Sequence, residues 1–396
     1  MDGGAQSHCT QLLVLNCGSS SLKWSVINTV SEATLGSGTL ETSSITAAAL
    51  PQLLENAPNF DSIAHRIVHG GSSFTHAARV DPRVRATLQE LTSLAPLHMK
   101  PALDVLDACA AAFPNTPQYA AFDTAFHRSI PESRRQYALP LEWRQRWQLQ
   151  RFGFHGLSVE YCVSRLRELL GALPARLLVC HLGSGCSITA VKDGKSFDTT
   201  MGFTPLEGPL MATRSGSIDP GLLLHLLQQG LSVAELANGL LHRSGIAGLA
   251  CNDGDLREVL AGVDSGSTIA RLAYETFTVS LQRSVGAMLA SMNGVDALVF
   301  TGGMGENSAR LRADIVAGLA FADIALDVVA NAEARAAVAA SAEANGGVGG
   351  DIRISTLTSR VSVFRIHTRE DLAILRNTVG SPEVAWKQAL LTEGGP

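Results

Sequence analysis

The sequence predicts an α/β fold made of two similar domains. Its 396 residues exceed the size at which a single hydrophobic core stops growing. A pattern of strand, tight turn and strand occupies residues 12–28 and partly recurs at residues 175–191. Helical patterns fill the intervals between such strands. The length and the recurrence together indicate two domains, and two domains imply a cleft.

The first hairpin consists of apolar residues 12–16, turn residues 18–21 and the run LKWSVIN at residues 22–28. Residues 63–68 have the character of a further strand. A helix is expected within residues 72–92, after a loop, and another at residues 158–170, where apolar residues recur every 3.6 positions. The long amphipathic stretch 267–292 predicts a third helix.

The second half repeats the hairpin with the run ARLLVC at residues 175–180, a loop over residues 181–187 and the apolar run 188–191. Residues 295–300 form a buried-strand pattern, followed by a Gly-rich loop at 301–307 and a helix from residue 308. A step from strand to Gly loop to helix is a natural nucleotide contact. Residues 329–350 are rich in Ala and Gly and predict a surface helix that ends in a flexible loop.

Composition excludes several kinds of partner. Hydrophobic residues make up 46% of the chain and charged residues 17%, which is typical of a globular protein. A net charge of −5 without charge runs offers no basic surface to nucleic acid or to anionic lipid. We therefore expect neither partner, and any phosphate must be held by local groups.

Cysteine usage and the N-terminus indicate the compartment. The seven cysteines are odd in number, scattered and never in a C-x-x-C pair, so neither a disulfide framework nor a zinc site is indicated. Residues 1–11 lack the pattern of a signal peptide, and no apolar segment is long enough to span a bilayer. The sequence predicts a cytoplasmic protein.

The common phosphate-binding motifs are absent. A Walker A loop fails because Thr189 stands where the first glycine should precede Gly194-Lys195-Ser196. A Rossmann motif fails because no third glycine follows Gly303 and Gly305. Several short Gly/Ser turns remain, whose backbone N–H groups can bind an anion. A single turn of this kind is usually only part of a hairpin, so phosphate binding is indicated by the occurrence of several such turns together.

Eight ordered segments resemble the acetate kinase family, which shares a superfamily with sugar kinases, actin and the seventy-kilodalton heat-shock chaperones. The resemblance implies two domains with duplicated ribonuclease H-like cores and an active site in the central cleft. The matching segments are LVLNCGSSSLK (13–23), AHRIVHGG (64–71), FDTAFH (122–127), GFHG (153–156), HLGSG (181–185), MGFTPLEG (201–208), TRSG (213–216) and FTGGMGENS (300–308).

The family implies a reversible, magnesium-dependent and direct in-line transfer of the ATP γ-phosphoryl group to acetate, which gives acetyl phosphate and ADP. A carboxylate that attacks a polyphosphate brings two anions together. The site therefore needs cations and hydrogen-bond donors more than a strong base. Acetate is already deprotonated at neutral pH.

The catalytic residues implied by the resemblance are Arg66, Arg214, His155 and Asp123. The two guanidinium groups are assigned to the substrate carboxylate and to the phosphoryl oxygens, although an arbitrary arginine more often forms a structural ion pair. His155 is expected to donate a hydrogen bond to an equatorial phosphoryl oxygen, although a lone histidine more often packs in a core. Asp123 either transfers a proton or orients a neighbouring group.

The metal ligands implied by the resemblance are Asn16 and Glu370, which would hold Mg²⁺ or Mn²⁺ through oxygen atoms. His65 and His69 are rejected as a metal pair because on a strand they would lie ~13 Å apart. The residues proposed to line the acyl pocket are Val68, Leu97, Phe154 and Pro205, with Arg66 on the carboxylate.

The nucleotide is assigned to three segments, with Lys23 near the phosphates. Glycines permit the close backbone approach that such binding needs. The residues assigned to the phosphates are His181, Leu182, Gly183, Ser184 and Gly185. Those assigned to the adenosine side are Asp255, Leu256 and Arg257, and those assigned to the adenine and α-phosphate are Gly303, Met304, Gly305, Glu306 and Asn307.

The resemblance also implies a homodimer and two domains, with residues 1–125 and 371–396 in the first and residues 126–370 in the second.

Some positions depart from the family pattern, among them Ser184, Met99, Lys100 and Val159. The sequence leaves propionate or butyrate kinase activity open. One extra methylene in the substrate changes the free energy by which an enzyme discriminates between two acids by only ~1–3 kcal/mol. An ATPase of the actin or chaperone kind is the alternative from another class.

Overall fold

A computed structural model describes residues 10–18, 21–41, 45–333 and 350–380, without the side chains of residues 96 and 97. The chain divides into two compact units. Unit 1 contains the residues up to 126, residues 156–161 and those from 369 onward, and unit 2 contains residues 127–155 and 162–368. The predicted second domain, residues 126–370, includes residues 126, 156–161, 369 and 370, which belong to unit 1 in this division.

Unit 1 contains a six-stranded mixed sheet. Its order is β3-β2-β1-β4-β6-β5; β1, β4 and β6 run parallel, and the other pairs are antiparallel. The strands are β1 (Gln11–Cys17), β2 (Ser21–Asn28), β3 (Thr34–Glu41), β4 (Ser62–Ile67), β5 (Ala78–Arg79) and β6 (Gln118–Phe122).

Unit 2 repeats this sheet. Its order, β9-β8-β7-β10-β12-β11, has the same sequence of parallel and antiparallel neighbours. The strands are β7 (Arg176–Leu182), β8 (Cys186–Lys192), β9 (Lys195–Thr199), β10 (Ala297–Thr301), β11 (Ile352–Arg353) and β12 (Ser362–Arg365). Even the register shift recurs, at Val26/Ile27 between β2 and β3 and at Ala190/Val191 between β8 and β9. The prediction of an α/β fold with duplicated cores is confirmed.

Helices connect and cover the strands. They are α1 (Leu50–Leu53), α2 (Pro82–Glu90), α3 (Pro96–Ala112), α4 (Glu132–Arg135), α5 (Leu141–Trp147), α6 (Gly156–Leu170), α7 (Pro220–Gln228), α8 (Val233–His242), α9 (Gly245–Ala250), α10 (Leu256–Asp264), α11 (Thr268–Met292), α12 (Gly302–Asn307), α13 (Ala309–Ala317) and α14 (Glu370–Val379). Short 3₁₀ segments occupy Leu91–Leu94, Ala125–Ser129 and Ala320–Ala322. Residues 328–333 are also helical, and the rest of the helix and loop predicted at 329–350 lies outside the described residues, apart from residue 350.

The helices predicted near residues 158–170 and 267–292 and within 72–92 are confirmed. Two details were wrong. Residues 302–307 form helix α12 rather than an open loop, because the chain turns into a helix directly after β10. Strand β7 continues through His181 and Leu182, which pair with β8, so the turn after it is shorter than predicted.

The central strands are buried because helices pack against them. Leu12, Leu13, Val14 and Leu15 in β1 are at most 1% exposed, as expected for parallel strands that are covered on both faces. In unit 1, α3 and α14 contact these strands, and in unit 2, α11 contacts β7, β8 and β9. Among the described residues, no helix combines the length and the apolar character needed to cross a bilayer.

Candidate functional site

Polar residues of unit 1 converge where its parallel strands end. Asn16 lies near the end of β1, Arg66 near the end of β4, and Asp123 directly after β6. Carboxyl ends of parallel strands meet at one edge of a sheet, which is where such folds bind ligands. The Arg66 Nη2 atom lies 2.6 Å from the Asp123 Oδ2 atom, and Nε donates to both carboxylate oxygens at 3.0 and 3.2 Å. The two predicted catalytic residues of this unit therefore form a forked ion pair.

Glu370, the first residue of α14, joins this pair to Asn16. The Asn16 Nδ2 atom donates to the Glu370 Oε2 atom at 2.6 Å, and Arg66 Nη1 donates to Asn16 Oδ1 at 3.1 Å. Arg66 Nη1 also lies 3.3 Å from Glu370 Oε2. The structure thus brings together both predicted metal residues and two predicted catalytic residues, and we call Asn16, Arg66, Asp123 and Glu370 the Arg66 cluster.

The charges of the Arg66 cluster do not balance. Burial opposes the charge of Arg66, but the carboxylates of Asp123 and Glu370 raise its pKa above the ordinary value. Burial raises the pKa of Asp123 above its ordinary value, and the two-point contact with Arg66 only partly opposes that rise. One guanidinium faces two carboxylates, so the ionised cluster carries a net charge of about −1. This charge favours a cation, and the amide and carboxylate oxygens are the ligand atoms that Mg²⁺ prefers.

Unit 2 gathers a second group of predicted residues around His155. The register of β7 and β8 places His181 directly opposite Ser187. The ring centroids of His155 and His181 lie 4.1 Å apart, and the His155 Nδ1 atom lies 3.0 Å from the Ser187 Oγ atom. A left-handed backbone conformation at His155, with φ of 58°, comes directly before α6 and sets the direction of the side chain. Ser187 was not predicted.

The turn between β7 and β8 lies against this histidine. Its Gly185 has no side chain, and a Cβ atom there would meet Arg214 Nη1 at 3.3 Å and His155 Nε2 at 3.4 Å. The Ala212 N–H donates to the Ser184 carbonyl at 3.1 Å, which ties the segment before Arg214 to the same turn. We call His155, His181, Gly185, Ser187 and Arg214 the His155 cluster.

Arg214 is held by its own loop. Its Nη1 atom donates to the Pro205 carbonyl at 3.2 Å, and burial lowers its pKa. An arginine keeps its charge at neutral pH in spite of such a shift. Unit 2 therefore offers a guanidinium, two imidazole rings and a glycine turn, which suit a phosphoryl group.

The remaining predicted nucleotide residues have local partners. The Glu306 side chain is buried, accepts from the N–H groups of Gly302 and Thr368, and lies 2.6 Å from His367 Nδ1. Asp255 accepts from the Arg257 backbone N–H at the start of α10 and pairs with the exposed Arg257 guanidinium. Their assignment to the nucleotide stays a prediction.

The remaining predicted residues are Lys23 and those assigned to the acyl pocket. Lys23 is exposed and opposite Asn16 in the register of β1 and β2, hence on the same face of the sheet. Val68 is buried in unit 1, and Phe154 is buried in unit 2, where its carbonyl lies 2.9 Å from His127 Nε2. Leu97 belongs to α3, and its side chain lies outside the described residues. An acyl pocket formed by these residues and Pro205 stays a prediction.

Comparison with known protein families gives one match over most of the chain. The model of the acetokinase family matches residues 43–376. An acetate kinase from Thermosynechococcus vestitus is 44% identical over 327 residues, which are 82% of this chain and 75% of the relative. An acetate kinase from Lachnoclostridium phytofermentans is 35% identical over 93% of this chain and 99% of its own length.

Solved structures give the same relationship. A propionate kinase from Francisella tularensis matches with a TM-score of 0.84 and 34% identity, over 93% of this chain and 98% of its own. An acetate kinase from Porphyromonas gingivalis matches with a TM-score of 0.81 and 32% identity, over 95% of this chain and its full length.

Proposed function

The chain belongs to the acetokinase family, and from this membership we propose that it transfers the γ-phosphoryl group of ATP to the carboxylate of acetate. The products are acetyl phosphate and ADP, and the reaction is reversible. The observation that carries the proposal is the match of the family model to residues 43–376. The Arg66 and His155 clusters supply the charges that this chemistry needs.

The two clusters have different roles in the proposed transfer. A carboxylate oxygen of acetate attacks the γ-phosphorus, the bond from that phosphorus to the bridging oxygen breaks, and ADP leaves with the electron pair. Arg66 binds the carboxylate in the orientation set by Asp123. Arg214 offsets the negative charge of the phosphoryl oxygens, and the His155 ring donates a hydrogen bond to one of them. No base is required, because the attacking oxygen is already an anion.

The Arg66 cluster also has the composition to hold the proposed Mg²⁺. Glu370 and Asn16 present oxygen atoms beside a second carboxylate, and the net negative charge of the cluster attracts a cation. When bound, the ion would neutralise part of the nucleotide charge. Mn²⁺ has a similar preference for oxygen ligands and would be accepted as well.

A longer acyl group is the second candidate. The propionate kinase from Francisella tularensis resembles this chain about as closely as the acetate kinase from Porphyromonas gingivalis does. Measured values of kcat/KM for acetate, propionate and butyrate decide between them, and a higher value for propionate would replace acetate in the proposal.

A homodimer and a cytoplasmic location complete the proposal. The family resemblance supports the dimer. The location is supported by six described cysteines that are all free thiols, among them Cys17, Cys162 and Cys186. Light scattering of the purified chain tests the dimer, and a single-chain mass would contradict it.

The central experiment traps the acyl phosphate with hydroxylamine in the presence of ATP, Mg²⁺ and one carboxylic acid. We expect a hydroxamate that depends on all three. The variants Arg66→Gln and Arg214→Gln should lower kcat/KM by about 10²- to 10³-fold, because each removes a charge that binds the reacting groups. Arg271→Gln, on the exposed face of α11, is the matched control and should behave as the wild type.

Two outcomes would overturn the proposal. One is the absence of hydroxamate with every acid although ATP still binds. The other is near-normal turnover in both arginine variants, which would remove the two clusters from the reaction.

A further inference from the structure

Unit 2 contains a polar cavity that has no part in the proposed transfer. Its volume is about 540 Å³, and its walls come from five stretches of this unit, including the middle of α11 and residues 198–208. Such a volume is typical of sites for small organic ligands. None of the residues of the His155 cluster lines it.

Three arginines line the cavity. The Arg151 Nη2 atom lies 2.6 Å from the Glu207 Oε1 atom, and the Arg134 Nε atom lies 3.6 Å from the Asp198 Oδ2 atom. Each of these two arginines is therefore balanced by a carboxylate. Arg283 on α11 also lines the cavity and is exposed. Within the described residues Arg283 forms neither a hydrogen bond nor an ion pair, so the walls carry one uncompensated positive charge.

Two serine hydroxyls in the walls have a proton to donate. Ser217 Oγ accepts from the Gly208 N–H at 3.1 Å, and Ser280 Oγ accepts from the Leu210 N–H at 2.8 Å. Because each oxygen already accepts a backbone hydrogen, its own O–H is directed elsewhere. Ala287 and Met288 add apolar surface to the same walls. Positive charge, hydroxyl donors and apolar surface together suit an anionic group on a carbon body.

We propose that this cavity is a binding site for a small organic oxyanion, in which Arg283 pairs with a carboxylate or phosphate group and Ser217 and Ser280 donate to it. The Ala287 and Met288 side chains contact the carbon body. The site is separate from the groups that bind acetate and the phosphoryl group.

The cavity shares two segments with the His155 cluster. Arg151 begins the segment that leads to His155, and its Nη1 atom donates to the carbonyls of Thr199, Thr200 and Met201 at 3.0–3.1 Å. Glu207 lies two residues after Pro205, whose carbonyl holds Arg214. An anion bound in the cavity therefore contacts the segments that position the reactive groups of this unit.

Calorimetric titration without ATP tests the site. The probes are succinate as a dicarboxylate and glycerol 3-phosphate as a phosphate monoester, with sodium chloride as the ionic-strength control. We expect at least one probe to bind the wild type, and the tighter one identifies which oxyanion the cavity takes. The variants Arg283→Gln and Ser217→Ala should each weaken that binding, by at least 10-fold for the arginine, while Arg271→Gln on the same helix keeps the wild-type affinity.

Hydrogen exchange locates the bound probe. The amides of Gly208 and Leu210 should exchange more slowly when the probe is present, because both donate to the hydroxyls that contact it. Failure of both probes to bind, equal affinity in Arg283→Gln and wild type, or unchanged exchange at both amides would overturn the proposal. None of these measurements uses turnover, so they leave the proposed transfer untouched.

Discussion

Arg66 contacts every other member of its cluster. The sequence motifs predicted Asn16, Arg66, Asp123 and Glu370 one by one, but their mutual contacts depend on strand order and on the return of α14 to unit 1. The forked contact favours the orienting role for Asp123, because both of its carboxylate oxygens accept hydrogen bonds from the Arg66 guanidinium and fix its plane.

Asp123→Asn tests this role. An asparagine accepts through only one oxygen and presents its NH₂ group to the guanidinium, so Arg66 loses its fixed orientation. We expect kcat/KM for acetate to fall about 10²-fold, while the residual activity keeps the pH profile of the wild type. Asp104→Asn, at an exposed ion pair on α3, is the control. Loss of the acidic limb from the Asp123→Asn profile would instead assign proton transfer to Asp123.

Ser187 shows what the motifs missed. It is the last residue of the predicted loop 181–187, directly before an apolar run, and no pattern there indicates a function for it. Only the antiparallel register of β7 and β8 places it opposite His181 and within 3.0 Å of His155. A role for this serine therefore depends on pairing between strands, which motif spacing does not encode.

Ser187→Ala should lower kcat about 10- to 100-fold with little change in KM, because the His155 ring loses the contact that holds its Nδ1 atom. Steady-state kinetics with varied acetate and ATP measure both parameters. Ser62→Ala, another fully buried serine on a strand, is the matched control. Equal kinetics in Ser187→Ala and wild type would remove the serine from the cluster.

At the scale of elements, glycines decide where chain segments can approach. The Gly156 N–H at the start of α6 donates to the Asp123 carbonyl at 2.8 Å, and a Cβ atom on Gly156 would lie 2.1 Å from that oxygen. In the GFHG motif the sequence singled out His155 alone, and the structure gives a physical reason for the glycine that follows it. By contrast, the glycines of 302–305 suggested a loop, and the chain instead forms helix α12 there because backbone hydrogen bonds outweigh the weak helix propensity of glycine.

Gly156→Ala should lower the free energy of unfolding by about 3 kcal/mol or more, because a backbone carbonyl cannot move away from the added methyl as a flexible side chain could. Gly239→Ala, inside α8 with no atom within 4 Å of the added carbon, should be neutral or stabilising by about 0.5–1 kcal/mol. Denaturant unfolding measures both. Equal stability of the two variants would contradict the close approach at Gly156.

At the scale of the whole molecule, the recurrence of the hairpin correctly indicated two similar cores, because strand and turn patterns are local in sequence. Unit boundaries were harder to predict. Residues 156–161 and the segment from residue 369 belong to unit 1 through contacts with residues far away in the chain, and local patterns carry no information on such contacts. The acyl pocket depends on the same long-range packing.

Each unit contains a buried histidine with a lowered pKa, which makes stability depend on pH. The His65 Nε2 atom in unit 1 lies 2.6 Å from the Gln118 Oε1 atom, and the His127 Nδ1 atom in unit 2 lies 2.8 Å from the Ser196 Oγ atom. Burial lowers the pKa of each to about 4, from an ordinary value near 6.5. The unfolded chain therefore binds more protons between these values, so the stabilisation is complete above pH 6.5 and is lost as pH falls toward 4.

From pH 7 to pH 5, each histidine should lower the free energy of unfolding by about 2 kcal/mol. The double variant His65→Gln and His127→Gln should show a correspondingly smaller pH dependence in denaturant unfolding. His225→Gln, at an exposed position on α7, is the control and should keep the wild-type dependence. An unchanged dependence in the double variant would show that other groups control stability in acid.

Helix α14 affects the order in which this protein can fold as it is synthesised. It packs on β1, β4 and β6 of the first sheet, yet the ribosome makes it only after all of unit 2. Proteins of several domains generally fold from the N-terminus during synthesis. The first sheet therefore lacks one of its covering helices, and Glu370 with it, until the ribosome has synthesised all of unit 2.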